Sequence, residues 1–161
     1  MKKLTKKSKV INLGCRLNFF ESEIIENILK KEKDVSKVVI NTCAVTNNAV
    51  QKSIYAVKKA LKDFPNSEVI VTGCASQIEK NRFENLGHIS KIVDNKLKTN
   101  PNSYISEDWV HEQTFNFPSI DYLSTQRTRA MLQIQQGCNH RCTFCIIPVS
   151  YTHLTLPTIA I

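Results

Sequence analysis

The chain has 161 residues, 42% hydrophobic and 22% charged, the balance of an ordinary globular protein with room for one domain and part of another. No apolar run nears the roughly 18 residues of a membrane helix, and the basic start Met1–Lys9 lacks the apolar core of a signal peptide, so a cytoplasmic chain without membrane contact is expected. A formal charge of +8 favours a polyanionic partner, nucleic acid first, beside the simpler account of a lysine-rich solvated surface.

Residues 1–8 read as a basic extension. From Lys9 a strand-like run alternates with a helical pattern, and the unit repeats. The runs are Val10–Cys15, Val38–Cys43 and Val69–Cys74, each short, β-branched and closed by a cysteine. After Cys15, Asn18 can cap a helix and Glu21 can reach back to its first amide, ahead of the stripe Phe20, Ile24, Ile25, Ile28 and Leu29. After Cys43, Val50, Ile54, Val57, Leu61 and Phe64 recur at helical spacing, and Pro65-Asn66 ends the helix. After Cys74, Ser76–Glu79 reads as a capping box for a shorter helix, and Ile89–Val93 as a fourth strand. The fold class is therefore α/β, with a parallel sheet, buried strands and right-handed crossovers over 9–119.

In such a sheet ligands gather at the carboxyl ends of the strands. Cys15, Cys43 and Cys74 fall there, one per strand, as a candidate joint metal site; taken singly, each reads as a small buried residue. Cysteines in a chain of cytosolic character point to metal or catalysis rather than to disulfides.

Trp109, Phe115, Phe117 and Tyr122, in a stretch with Pro101 and Pro118, read as a packed linker, or as rings that stack on bases. A strand-like run, Met131–Gln135, then leads through Gln136-Gly137 into Cys138-Asn139-His140-Arg141-Cys142-Thr143-Phe144-Cys145. Three thiolates at this C-x3-C-x2-C spacing suit an iron–sulfur cluster, leaving one iron open. The alternatives are zinc, with His140 as an awkward fourth ligand, and unliganded thiols. His88 and His111 are isolated and read as polar loop residues, and Lys58, Lys59 and Lys62 as a solvated helix face or as phosphate contacts.

The C-x3-C-x2-C run, with an aromatic residue before its last cysteine, resembles the signature of radical S-adenosylmethionine enzymes. The resemblance implies that Cys138, Cys142 and Cys145 bind a [4Fe–4S] cluster whose open iron takes S-adenosyl-L-methionine, with Phe144 beside the cofactor. Three further stretches are similar to the N-terminal domain of the methylthiotransferases. They are Gly14–Asn18 with Glu21-Ser22-Glu23, Asn41–Thr46 with Ala49 and Lys52, and Thr72–Gln77. In that family the equivalents of Cys15, Cys43 and Cys74 hold a second [4Fe–4S] cluster. Cys15-Arg16-Leu17-Asn18, Cys43-Ala44-Val45-Thr46 and Arg127–Ala130 are most similar to the branch that acts on tRNA threonylcarbamoyladenosine. That branch implies insertion of a methylthio group at C2 of the adenine, with tRNA as substrate and a flavodoxin or ferredoxin as electron donor. Asn18, Asn41, Thr42, Lys52 and Gln77 match family positions and serve either as caps, turns and solvated surface or as support for the ligands.

Residues 120–148 then correspond to the start of a truncated radical S-adenosylmethionine partial (β/α) barrel. From Val149 to Ile161 the chain departs from the family pattern and is expected to be non-native, so this chain is expected to be inactive alone. Two other functions stay open: a methylthiotransferase acting on isopentenyladenosine tRNA or on ribosomal protein S12, and a non-catalytic metal-binding module that docks RNA.

Overall fold

The structure, a computed structural model, describes residues 8–31, 36–105, 135–140 and 142–151. Four strands, β1 (Lys9–Asn12), β2 (Lys37–Thr42), β3 (Glu68–Gly73) and β4 (Lys91–Val93), form one parallel sheet in the order β1-β2-β3-β4. Between them lie α1 (Arg16–Lys31), α2 (Asn47–Asp63) and the short pair α3 (Cys74–Ile78) and α4 (Lys80–Glu84); α5 (Asn102–Ile105) and α6 (Ile147–Ser150) follow. The α/β parallel-sheet expectation is borne out for this domain. Trp109, His111, Phe115, Phe117, Tyr122, Arg127–Ala130, Met131–Ile134 and residues 152–161 lie outside the described residues, as do residues 1–7 of the basic extension.

Two apolar layers sandwich the sheet. Val38, Ile40, Val69 and Val71 pack on one face against Val50, Ile54, Val57 and Ala60 of α2 and against Ala75 and Phe83. Val39, Ile70 and Val93 pack on the other against the α1 stripe Phe20, Ile24, Ile25, Ile28 and Leu29, with Tyr104. Burying each such side chain contributes roughly 1.5–3 kcal/mol. Lys30 and Lys31 fall in the last turn of α1, where cations complement the carbonyl end of the helix. Thr46 caps α2, its hydroxyl accepting from the Ala49 amide at 3.1 Å.

Three expectations are corrected here. Strand order advances in one direction while α1 and α2 cover opposite faces, so the β1–α1–β2 and β2–α2–β3 crossovers have opposite hands. The reason is that β2 and β3 are apolar on both faces and each face needs a helix; a single hand throughout would leave one face bare. Asn18 and Glu21 do not cap α1, because the helix starts at Arg16 and both side chains turn inward. The Ser76–Glu79 box does not form either: α3 begins at Cys74, and Ser76 Oγ donates to the Gly73 carbonyl at 3.0 Å. Of the strands read as buried, β2 is buried throughout, whereas β1, on the edge, is only half-buried.

Candidate metal centre at the carboxyl rim of the sheet

The rim is built from side chains that end strands by bonding across them. Asn18 Nδ2 donates to the Thr42 carbonyl at 2.8 Å, Thr42 Oγ1 to the Thr72 carbonyl at 2.7 Å, and Thr72 Oγ1 to the Val93 carbonyl at 2.8 Å. This relay ties α1, β2, β3 and β4 together at one level. Asn41 Nδ2 adds bonds to the Asn18 carbonyl, 2.9 Å, and Ser22 Oγ, 3.1 Å. The Ser76 amide donates to Thr42 Oγ1 at 3.1 Å. Asn18, Asn41, Thr42 and Thr72 are all fully buried; these bonds pair their donors, as buried polar groups require, while Asn41 Oδ1 has no hydrogen-bond partner.

The cysteines sit directly on this rim. Cys15 precedes α1 and is exposed; Cys43 follows β2 and Cys74 follows β3, at 6% and 7% exposure. Cys15 Sγ lies 4.0 Å from Asn18 Oδ1, and Ser53 Oγ accepts from the Cys43 amide at 3.3 Å. Gly73 sets the position of Cys74. Its backbone, at φ +99° and ψ −175°, lies in a region that is essentially glycine-only. A Cβ there would meet the Thr42 carbonyl oxygen at 2.3 Å. All three thiols are free.

Beside the thiols lies a buried polar cluster that the sequence reading missed. Lys98 and Glu21 are both 0% exposed, with Lys98 Nζ 2.5 Å from Glu21 Oε2. The Tyr151 hydroxyl accepts from Lys98 Nζ at 2.7 Å and lies 3.3 Å from both Glu21 oxygens and 3.5 Å from Asn18 Oδ1. Burial raises the Glu21 carboxyl above its ordinary value, against the opposing pull of Lys98. Burial likewise raises the Cys74 thiol, again opposed first by Lys98, and it raises the Tyr151 hydroxyl, with the Glu21 carboxylate adding to the effect. No motif points to Lys98; its only trace in the sequence is a lysine five residues past the fourth strand.

The second cysteine loop docks on the same rim. Gln136 Nε2 donates to Glu21 Oε1 at 3.1 Å, and Asn95 Nδ2 donates to the Ser150 carbonyl at 2.7 Å. Cys138 and Cys145 are half-buried and Cys142 is exposed, with the Cys145 amide turned back to the Cys142 carbonyl at 3.1 Å. Phe144 is 91% exposed. The segment from Val149, expected to be foreign to the family, supplies Ser150 and Tyr151 to this contact.

In donor type and place the first triad fits an iron–sulfur cluster: three thiols at one rim, two of them shielded from water. Among the described residues, no three His, Cys, Asp or Glu side chains stand drawn together as a ready-made ligand set. Of the remaining candidates, Gln77 Oε1 accepts from the Asn95 amide at 3.3 Å, while Lys52, Lys58, Lys59, Lys62 and His88 are exposed. Among the described residues no helix is long and apolar enough to cross a membrane.

Residues 7–94 match uncharacterized protein family UPF0004. The chain belongs to that family. It is also 34% identical to the threonylcarbamoyladenosine tRNA methylthiotransferase MtaB of Rickettsia prowazekii over 154 residues, covering 88% of this chain and 35% of the relative. The MtaB of Bacillus subtilis is 34% identical over 160 residues, 84% of this chain and 34% of the relative. The ribosomal protein uS12 methylthiotransferase RimO of Shigella flexneri is 36% identical over 168 residues, 92% and 36%. The chain thus spans little more than a third of these relatives. The recognition of a methylthiotransferase-type fragment, most like MtaB, is borne out.

Proposed function

We propose that this chain is the N-terminal part of a radical S-adenosylmethionine enzyme that places a methylthio group at C2 of N6-threonylcarbamoyladenosine in tRNA. One observation carries the reading: Cys15, Cys43 and Cys74 lie on one rim of the sheet, and the loop of Cys138, Cys142 and Cys145 docks there through Gln136 and Glu21. Cys15, Cys43 and Cys74 would hold one [4Fe–4S] cluster and the second triad another, with Phe144 free to flank S-adenosyl-L-methionine. When bound, the clusters and S-adenosyl-L-methionine supply the radical and the sulfur. The chain's own residues do the rest. The Asn18–Thr42–Thr72 relay fixes the strand ends that carry the thiols. Burial of Cys43 and Cys74 keeps water from them. Thiolate ligation needs a reducing compartment, which suits a cytoplasmic enzyme served by a flavodoxin or ferredoxin. The +8 charge suits tRNA.

A second reading has its own support, since the similarity to RimO is 36% identity over 92% of the chain. It makes ribosomal protein S12 the substrate. The complete coding sequence, expressed in a host lacking its own methylthiotransferases, separates the two. Mass spectrometry of tRNA nucleosides should show 2-methylthio-N6-threonylcarbamoyladenosine. A methylthiolated S12 peptide with unmodified tRNA would establish the second reading, and neither product would overturn both.

A further inference from the structure

We propose that the outer face of α2 is the surface on which this protein seats its RNA: Lys52, Lys58, Lys59 and Lys62 hold phosphates, and Tyr55 stacks on an unpaired base. The inference rests on the tRNA reading above and adds to it the place of contact.

Lys52, Tyr55, Lys58, Lys59 and Lys62 are all exposed, Tyr55 at 69%. At 3.6 residues per turn they fall within a sector of about 120°, opposite Val50, Ile54, Val57 and Ala60, which pack on the sheet. Within α2 no acid lies in that sector; Asp63 borders it at the far end of the helix. From Lys52 to Lys62 the face runs about 15 Å at 1.5 Å per residue, long enough to meet successive phosphates of one strand.

This arrangement works against the helix. Lys58 and Lys62 stand four residues apart and Lys59 and Lys62 three, where like charges repel. In α1 the exposed Glu26 and Lys30 instead pair at 3.6 Å across one turn. Among the described residues no carboxylate pairs with any of the four α2 lysines. A face kept only for solubility gains by mixing signs, as α1 does, whereas a face of one sign suits a polyanion. Tyr55 decides which polyanion. Its ring faces water on the side away from the core, and basic groups with an interleaved aromatic ring are the pattern that holds unpaired nucleotides. An acidic polypeptide would use the charges and leave the ring idle. The face also leads toward the chemistry: α2 begins at Asn47, four residues after Cys43, so RNA laid along the helix runs toward the thiol rim.

The test uses the enzyme from the complete coding sequence, with unmodified tRNA as the probe and binding measured over a range of salt concentrations. Lys58→Gln with Lys62→Gln should weaken binding about tenfold at low salt and reduce the slope of log K against log salt by about 1.4–1.8, the loss of two phosphate contacts. Tyr55→Ala should weaken binding about tenfold with the slope unchanged. Lys30→Gln with Lys31→Gln, the same charge change on α1, should bind as the parent does. Lysine acetylation read by mass spectrometry should show Lys52, Lys58, Lys59 and Lys62 open in the free enzyme and protected by tRNA.

Equal weakening by the α1 and α2 pairs means that net charge alone acts and overturns the assignment. Protection of the α2 lysines before RNA is added also overturns it, since another part of the enzyme then covers them. Full competition by polyglutamate, with no effect of Tyr55→Ala, makes the partner an acidic protein and overturns the RNA assignment. A parent that modifies tRNA while every α2 variant binds as tightly overturns the placement alone. A parent that neither binds nor modifies tRNA overturns the tRNA reading itself.

Discussion

Replacing Gly73 by alanine tests whether the rim is set by backbone approach. At φ +99° and ψ −175°, a residue with a Cβ costs about 1–3 kcal/mol from backbone strain alone. The added Cβ would also meet the Thr42 carbonyl oxygen at 2.3 Å, the Thr42 nitrogen at 2.5 Å and Asn41 Oδ1 at 2.6 Å. Two of these are backbone atoms of the paired strand and cannot swing aside, since Thr42↔Gly73 is a register pair. Overpacking of this kind adds about 1–3 kcal/mol. Together the loss comes to about 2–6 kcal/mol, a large share of the roughly 5–15 kcal/mol that holds a domain folded. Gly87→Ala is the matched control: φ is +106°, but a Cβ there meets nothing within 4 Å. Urea unfolding followed by circular dichroism should place Gly73→Ala well below Gly87→Ala. Equal midpoints would show that strain alone matters and that the β2–β3 ends are not in close contact.

Thr46→Ala should cost about 1 kcal/mol in the same assay through loss of the α2 cap. In the chain without iron, timed alkylation read by mass spectrometry should modify Cys15 and Cys142 first. Cys43 and Cys74 should lag, and Cys74 should gain speed only at higher pH, since burial raises its thiol. Glu21 makes stability depend on pH in a defined direction. Its folded value is raised, so the native state keeps a proton that the unfolded chain releases. Its contribution is full below the ordinary carboxylate value and is lost as pH rises through the folded one. Urea midpoints from pH 4.5 upward should therefore fall less steeply in Glu21→Gln than in the parent; parallel curves would refute the assignment.

The framework was legible because its signals are local. Val38–Ile40 and Val69–Val71 are β-branched runs of strand length, and α2 shows its helical period and its stop before Pro65. The three rim cysteines could be placed at strand ends because only two residues separate each from such a run or strand. What failed depends on distance in space. Asn18 and Glu21 have the chemistry of caps, but tertiary packing draws them inward, to Thr42 and to Lys98. The hand of one of the two crossovers was misread because the rule considers one crossover at a time, whereas here the two faces of β2 and β3 compete for cover. Lys98 was invisible because 77 positions separate it from Glu21, and no periodicity spans such a gap.

The chain of side-chain bonds from Asn18 through Thr42 and Thr72 to the Val93 carbonyl has a mechanical consequence. It acts as a cross-brace: shifting one strand end stretches a bond to the next, so the mouths of the loops resist independent movement. A brace of this kind selects by size. Whatever settles among the thiols must suit a gauge fixed by peptide carbonyls, and a guest of the wrong dimensions meets stiffness rather than accommodation. Were the proposed cluster held there, the same stiffness would narrow its change in shape on taking up an electron.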